Sequence, residues 1–190
     1  MRRLFLLISL FALPLHAATF LSGDGVTLHY DVVGKGKPVV LLSGGPGFSP
    51  EYLRPVAEKL AGSHSFILFH QRGTGRSAME QINAETHALK KLVADLEALR
   101  RELKVEKLTI VAHSWGGILS MLYAAEHPDR IAALALIDSG GPTLAAVPKF
   151  NSNLESRFTE EEKAAVRLWS SPAKVAENRR RAVLEMTRAK

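Results

Sequence analysis

Four nearly uninterrupted apolar runs constrain the fold of this chain more than any other feature. Residues 38–42, 66–69, 108–112 and 131–137 are built almost wholly from Val, Leu, Ile, Phe and Ala. A strand with one face in water alternates apolar and polar residues. A strand covered by helices on both faces does not, so these runs predict buried strands of a parallel sheet. Helical patterns lie between them. Residues 49–60 place Leu53, Val56, Ala57 and Leu60 on one stripe, and Leu89, Leu92, Val93, Leu96, Leu99 and Leu103 form a second amphipathic face. Residues 115–126 are apolar nearly all round, as in a helix buried against the middle of a sheet. Strand and helix in alternation predict an α/β fold: a mostly parallel sheet with helices on both faces.

The flanks read differently. Val26, Leu28, Tyr30 and Val32 alternate with more polar residues, and Asp24-Gly25 is a strong hairpin turn, so residues 19–21 and 26–33 are expected to pair. Ahead of them stand Arg2 and Arg3, an apolar run over residues 4–13, and small residues at Ala17 and Ala18. That layout is expected to be a secretory signal peptide over residues 1–17, cleaved after Ala17 or Ala18, with the product periplasmic or secreted. The run is too short to span a bilayer, so no stable membrane anchor is expected. The sequence has no cysteine, which excludes disulfides and thiolate metal sites. After residue 139, Gly140-Gly141-Pro142 breaks the pattern and residues 149–158 read as polar and irregular. Thr159 with Glu162 forms a capping box for a helix through Trp169, and Ser171-Pro172 reads as the start of another. The expected organisation is therefore signal peptide 1–17, core 18–142 and a partial helical cap 143–190. Of the formal charge of +6, residues 163–190 alone carry eight Lys or Arg against Glu177 and Glu185. No aromatic interleaving or nucleic-acid motif accompanies them, so a solvated helix face is expected and no nucleic-acid partner.

Three short stretches carry chemistry. The first is Ala112-His113-Ser114-Trp115-Gly116, where a strand run meets a helical one. A serine on such a turn is lifted above the sheet edge, at a helix N-terminus that favours developing negative charge. The second is Ser43-Gly44-Gly45-Pro46-Gly47 after the run 38–42. Acyl transfer needs two backbone N–H groups facing the oxyanion. Pro46 has none to give, so Gly45 N–H is the candidate, paired with Trp115 N–H. The third is His70-Gln71-Arg72-Gly73-Thr74-Gly75-Arg76-Ser77, which lacks the spacing of either nucleotide-binding loop.

Together, S-G-G-P-G, Q-R-G-x-G-x-S and H-S-W-G-G resemble the H-G-G-P-G, D-Q-R-G-x-G-x-S and G-x-S-x-G-G motifs of α/β-hydrolases similar to proline iminopeptidases. The resemblance covers roughly residues 20–145. It implies a serine hydrolase, peptidase- or esterase-like, acting on a small-molecule or peptide substrate. Ser114 would be the nucleophile, Gly45 and Trp115 would form the oxyanion hole, and no cofactor or metal would be needed. Two positions depart from the pattern: the family's histidine is Ser43 here and its aspartate is His70. The two strand ends would be neighbours, so Ser43 and His70 are expected to be an exchanged polar pair.

A serine nucleophile needs a base and the base needs an acid. Asp138, at the end of the run 131–137, is the candidate acid. The only histidine after Ser114 is His127, about 19 Å along the intervening helix at 1.5 Å per residue. His113 should project elsewhere, His70 should lie two strands away, and His29, His64 and His87 read as surface residues. No base is found. The last two core strands, which in that family bear the usual Asp and the catalytic His, have no sequence to occupy, because 52 residues follow Asp138. The chain therefore reads as the front portion of such a hydrolase, and three functions stay open. It could be a hydrolase represented by an incomplete chain, a non-catalytic ligand- or partner-binding protein, or a dimer that borrows a histidine.

Overall fold

The structure, a computed structural model, describes residues 16–141, 143, 147–169, 171, 173, 174 and 177. The chain divides into two compact units, Met1–Pro142 and Thr143–Lys190. The first holds a six-stranded sheet: β1 His16–Leu21, β2 Thr27–Gly34, β3 Lys37–Leu42, β4 His64–His70, β5 Leu108–His113 and β6 Ile131–Ile137. Their order is β1-β2-β4-β3-β5-β6. The β1/β2 and β2/β4 pairs are antiparallel; β4/β3, β3/β5 and β5/β6 are parallel. The hairpin closes as its turn residues require: Gly25 takes a φ of 81° and its N–H donates to the Ser22 carbonyl. His16 and Ala17 pair with Val32 and Asp31, so β1 begins inside the segment expected to be cleaved.

The apolar runs bury both faces by alternation. Val40, Leu42, Ile67, Phe69 and Ile110 pack beneath helices α2 (Leu89–Glu102) and α3 (Trp115–Glu126), where Leu96, Leu99, Leu119 and Tyr123 are fully buried. Val39, Leu41, Phe66 and Leu68 face the other way, against Ala57 of α1 (Arg54–Leu60). The stripe expected over residues 49–60 is split: Pro50–Leu53 is a 3-10 turn, and α1 starts beyond it with Pro55 in its first turn.

Two expectations are corrected. β6 is not buried on both faces. It ends the sheet order, and Leu136 and Ile137 are exposed. Residues 149–158 are not irregular, for α4 runs Val147–Glu155. Its Asn and Ser residues favour turns, which masks the helical spacing of Val147, Phe150 and Leu154. The capping box is formed: Thr159 N–H donates to Glu162 Oε2 at 2.8 Å and Glu162 N–H to Thr159 Oγ1 at 3.2 Å, opening α5 (Glu160–Trp169). Lys174 N–H reaches Ser171 Oγ at 3.4 Å, while Pro172 lies outside the described residues. No helix among the described residues is long and apolar enough to cross a membrane.

The register positions the chemistry. Leu42 lies beside Ala112 and His113 beside Ile137. Parallel strands end at the same edge, so the exits of β3, β4, β5 and β6 bring Ser43, Gln71, Ser114 and Asp138 to one rim of the sheet.

Candidate active site

Ser114 sits between β5 and α3 with φ 52° and ψ −117°. An L-residue with a side chain rarely adopts this conformation, which costs of order 1–3 kcal/mol and persists only when its surroundings enforce it. They do so here. Ser114 N–H donates to the Ile137 carbonyl at 3.0 Å, and its own carbonyl accepts from Gly117 N–H at 3.0 Å. The motif's first glycine after the serine is dictated by packing, since a methyl group on Gly116 would meet the Leu42 carbonyl oxygen at 2.6 Å. Ser114 occupies the N-cap position of α3, yet its hydroxyl is not spent on capping. Among the described residues no group hydrogen-bonds that hydroxyl.

The loop after β3 closes against the elbow. A methyl group on Gly44 would stand 3.0 Å from Ser114 Cβ, 3.0 Å from His113 Nδ1 and 3.4 Å from the Tyr52 hydroxyl, so three side chains converge on one glycine. The Tyr52 hydroxyl accepts Gly44 N–H at 2.8 Å and lies 2.7 Å from His113 Nδ1. Tyr52 carries no signal of this role in the sequence. It lies eight residues beyond Gly44 in a helical stripe, and nothing in the pattern marks its hydroxyl. Gln71 is the second organiser: its amide nitrogen donates to Ser43 O at 3.0 Å and Ser43 Oγ at 3.2 Å, and its oxygen accepts from Trp115 Nε1 at 3.3 Å. One buried side chain thus ties the Gly-rich loop to the first residue of α3.

Two charged clusters brace this rim. All five N–H bonds of buried Arg72 are used, on Asp95, Asp24 and the Thr86 carbonyl. The Asp95 hydrogen bonds outweigh burial and hold the guanidinium firmly charged, and hydrogen bonds from Arg72 and Ser22 hold Asp24 well below the usual carboxylate range. In the other cluster Asp31 is held by Arg54 at 2.5 Å and by Arg76, and Arg54 also grips Glu51. His70 belongs here. Its Nδ1 accepts Arg76 N–H at 3.1 Å, which places the neutral ring's proton on Nε2, 3.7 Å from Asp31 and from Glu51. Burial, reinforced by the charge of Arg76, lowers the His70 pKa below its ordinary 6.5. Asp31, Glu51 and His70 could bring metal-ligand atoms within 4.8 Å of one another. A cation there would have to displace two guanidiniums and a ring proton, so the donor set does not suit one.

The structure brings Ser114, Gly45 and Trp115 to one rim and separates others from it. His70 and Ser43 are not a pair: Ser43 Oγ donates to the Phe48 carbonyl at 2.8 Å, while His70 turns to the arginine cluster. His127 follows the far end of α3 and packs on Tyr123, ring centroids 4.9 Å apart. His87 is not a surface residue. It is half-buried, with Nε2 3.2 Å from the Arg72 carbonyl, and it lines a cavity with Trp115. Asp138 follows β6 with φ 43° and is exposed; no histidine among the described residues bonds to it.

Residues 37–184 match the family model described as alpha/beta hydrolase fold. The chain belongs to the α/β-hydrolase family. Among its relatives, a cis-3-alkyl-4-alkyloxetan-2-one decarboxylase of Shewanella oneidensis is 39% identical over 122 residues, 64% of this chain and 38% of that protein. A proline iminopeptidase of Lactobacillus acidophilus is 35% identical over 118 residues, 59% of this chain and 40% of that protein. An epoxide hydrolase from an endophytic Streptomyces superposes with a TM-score of 0.58 at 28% identity, covering 64% of this chain and 36% of that one. This α/β-hydrolase chain thus spans about two-fifths of the length of the curated relatives it matches. Those relatives are named for three different reactions, so kinship delimits the scaffold and leaves the chemistry to the site.

Proposed function

We propose that the protein is a serine hydrolase, peptidase- or esterase-like, that forms an acyl-enzyme on Ser114. The observation that carries this reading is the elbow: a serine in a strained conformation at a helix N-terminus, its hydroxyl unspent, with the Gly-rich loop pressed against it. In the proposed step Ser114 Oγ attacks a carbonyl carbon and its proton passes to a base. The developing oxyanion is met by Trp115 N–H, which as the first N–H of α3 has no acceptor within the helix, and by Gly45 N–H. Tyr52 supports this division, because it occupies Gly44 N–H and leaves the next amide for the substrate. Asp138, at the same rim, is the acid this reading assigns. No histidine among the described residues is bonded to Ser114, so this reading leaves the base unassigned. Export by the basic and apolar N-terminal segment belongs to the same proposal.

A stoichiometric burst of 4-nitrophenolate from 4-nitrophenyl acetate tests the reading. Wild type is expected to give a burst that Ser114→Ala abolishes; an equal burst from both contradicts it. A second reading, a non-catalytic binding protein built on the same rim, is favoured by the lack of any histidine bonded to Ser114 among the described residues. No burst from either protein supports that one.

A further inference from the structure

Beside the elbow lies a cavity of about 300 Å³ that no step above uses. Its apolar wall is Pro46 from the Gly-rich loop, Ile82, Leu92 of α2 and the Trp115 ring. The remaining side chains of the wall are polar in name only, because each is already committed. Gln71 spends its amide nitrogen on Ser43 and its oxygen on Trp115. Arg72 has used all five N–H bonds. Thr74 Oγ1 donates to the Gln71 carbonyl at 2.8 Å. The His87 Nε2 proton goes to the Arg72 carbonyl, and its Nδ1 sits 3.0 Å from the Thr86 hydroxyl. The Trp115 indole Nε1–H is donated to Gln71 Oε1. Among the described residues, the side chains of the wall therefore have no N–H or O–H left to donate, and the one charged group, Arg72, is fully paired.

From this we infer that the cavity is the subsite for an uncharged hydrocarbon arm, alkyl or aryl, of a carbonyl substrate. The inference rests on the reading of Ser114 given above and narrows its substrate class. An anionic or acceptor-bearing arm would shed water here and find no donor in return, and a cationic arm would find no free carboxylate among the described lining residues. That disfavours a protonated amino-terminal residue, whose ammonium needs a free carboxylate; among the described residues no carboxylate lines the cavity. Size agrees, since an apolar cavity of about 150 Å³ already accommodates benzene. Pro46 and Trp115 belong to the two segments that carry the proposed oxyanion donors, so an arm seated between them stays beside the reacting carbonyl.

Binding to a Ser114→Ala, Trp169→Phe chain tests this without turnover, because Trp115 is then the sole indole. Benzyl acetate is expected to shift Trp115 emission saturably and to bind at least tenfold more tightly than proline methyl ester at neutral pH. Ile82 is 63% exposed, so Ile82→Asp should fold while placing a carboxylate at the wall. It should weaken benzyl acetate at least tenfold and strengthen the cationic ester. Equal binding of the two esters, no saturable response to benzyl acetate, or indifference of both to Ile82→Asp would overturn the assignment. The two proposals fail separately. Tight, Ile82-sensitive binding without an acyl burst removes the serine chemistry and keeps the subsite, and a burst without that selectivity does the reverse.

Discussion

The elbow and the Arg72 cluster both hold polar groups against the apolar core, and they do so in opposite ways. Around Arg72 every guanidinium N–H has an acceptor, and the charges of Arg72 and Lys91 meet those of Asp95 and Asp24. At Ser114 the backbone is strained and the hydroxyl has no partner among the described residues. Closed polar networks serve the fold, because an unpaired buried group is costly. An open, strained one is retained where chemistry needs it.

The largest effect that would break this contrast comes from the closed side. Arg72→Met leaves Asp95 buried and unpaired and should destabilise the protein by about 3–5 kcal/mol in urea unfolding. Adding Asp95→Leu should recover much of the loss, and a double variant as unstable as the single one would contradict a self-contained network. On the open side, Ser114→Gly relieves the positive φ and should stabilise by about 1 kcal/mol, since strain relief exceeds the entropic cost of glycine. A lower melting temperature for that variant would argue that the elbow is not strained. Tyr52→Phe strands Gly44 N–H and should cost about 1 kcal/mol while slowing acylation of Ser114.

The smallest effect is the pH dependence through His70. Its folded pKa is lowered, so between that value and 6.5 the unfolded chain binds the proton more readily. Stability is then full above pH 6.5 and falls as pH drops through 6.5 towards the folded value. Thermal unfolding of His70→Gln should show a shallower pH slope over this window; identical slopes would remove His70 as the cause.

How far the sequence foretold this follows from what each signal measures. Uninterrupted apolar runs located β3 to β6, and Asp24-Gly25 located the hairpin, because burial and turn geometry act on residue type directly. The burial of β6 was misjudged because an apolar run reports the residues and not what lies beside them. At the site, the elbow and the Gly-rich loop were legible as spacings. The roles of Tyr52, Gln71 and His87 were not, for they arise from contacts between segments 8 to 61 residues apart. Ser43 and His70 were paired by neighbouring strand ends, yet Arg76 N–H and the Phe48 carbonyl proved the nearer partners.

The central claim is that the open hydroxyl of Ser114 is a nucleophile, and a fluorophosphonate probe followed by peptide mass mapping tests it most directly. One adduct per chain, located on Ser114 and abolished by Ser114→Ala while the other serines stay unmodified, is the predicted result. An unlabelled chain, or label on serines other than Ser114, would contradict the account.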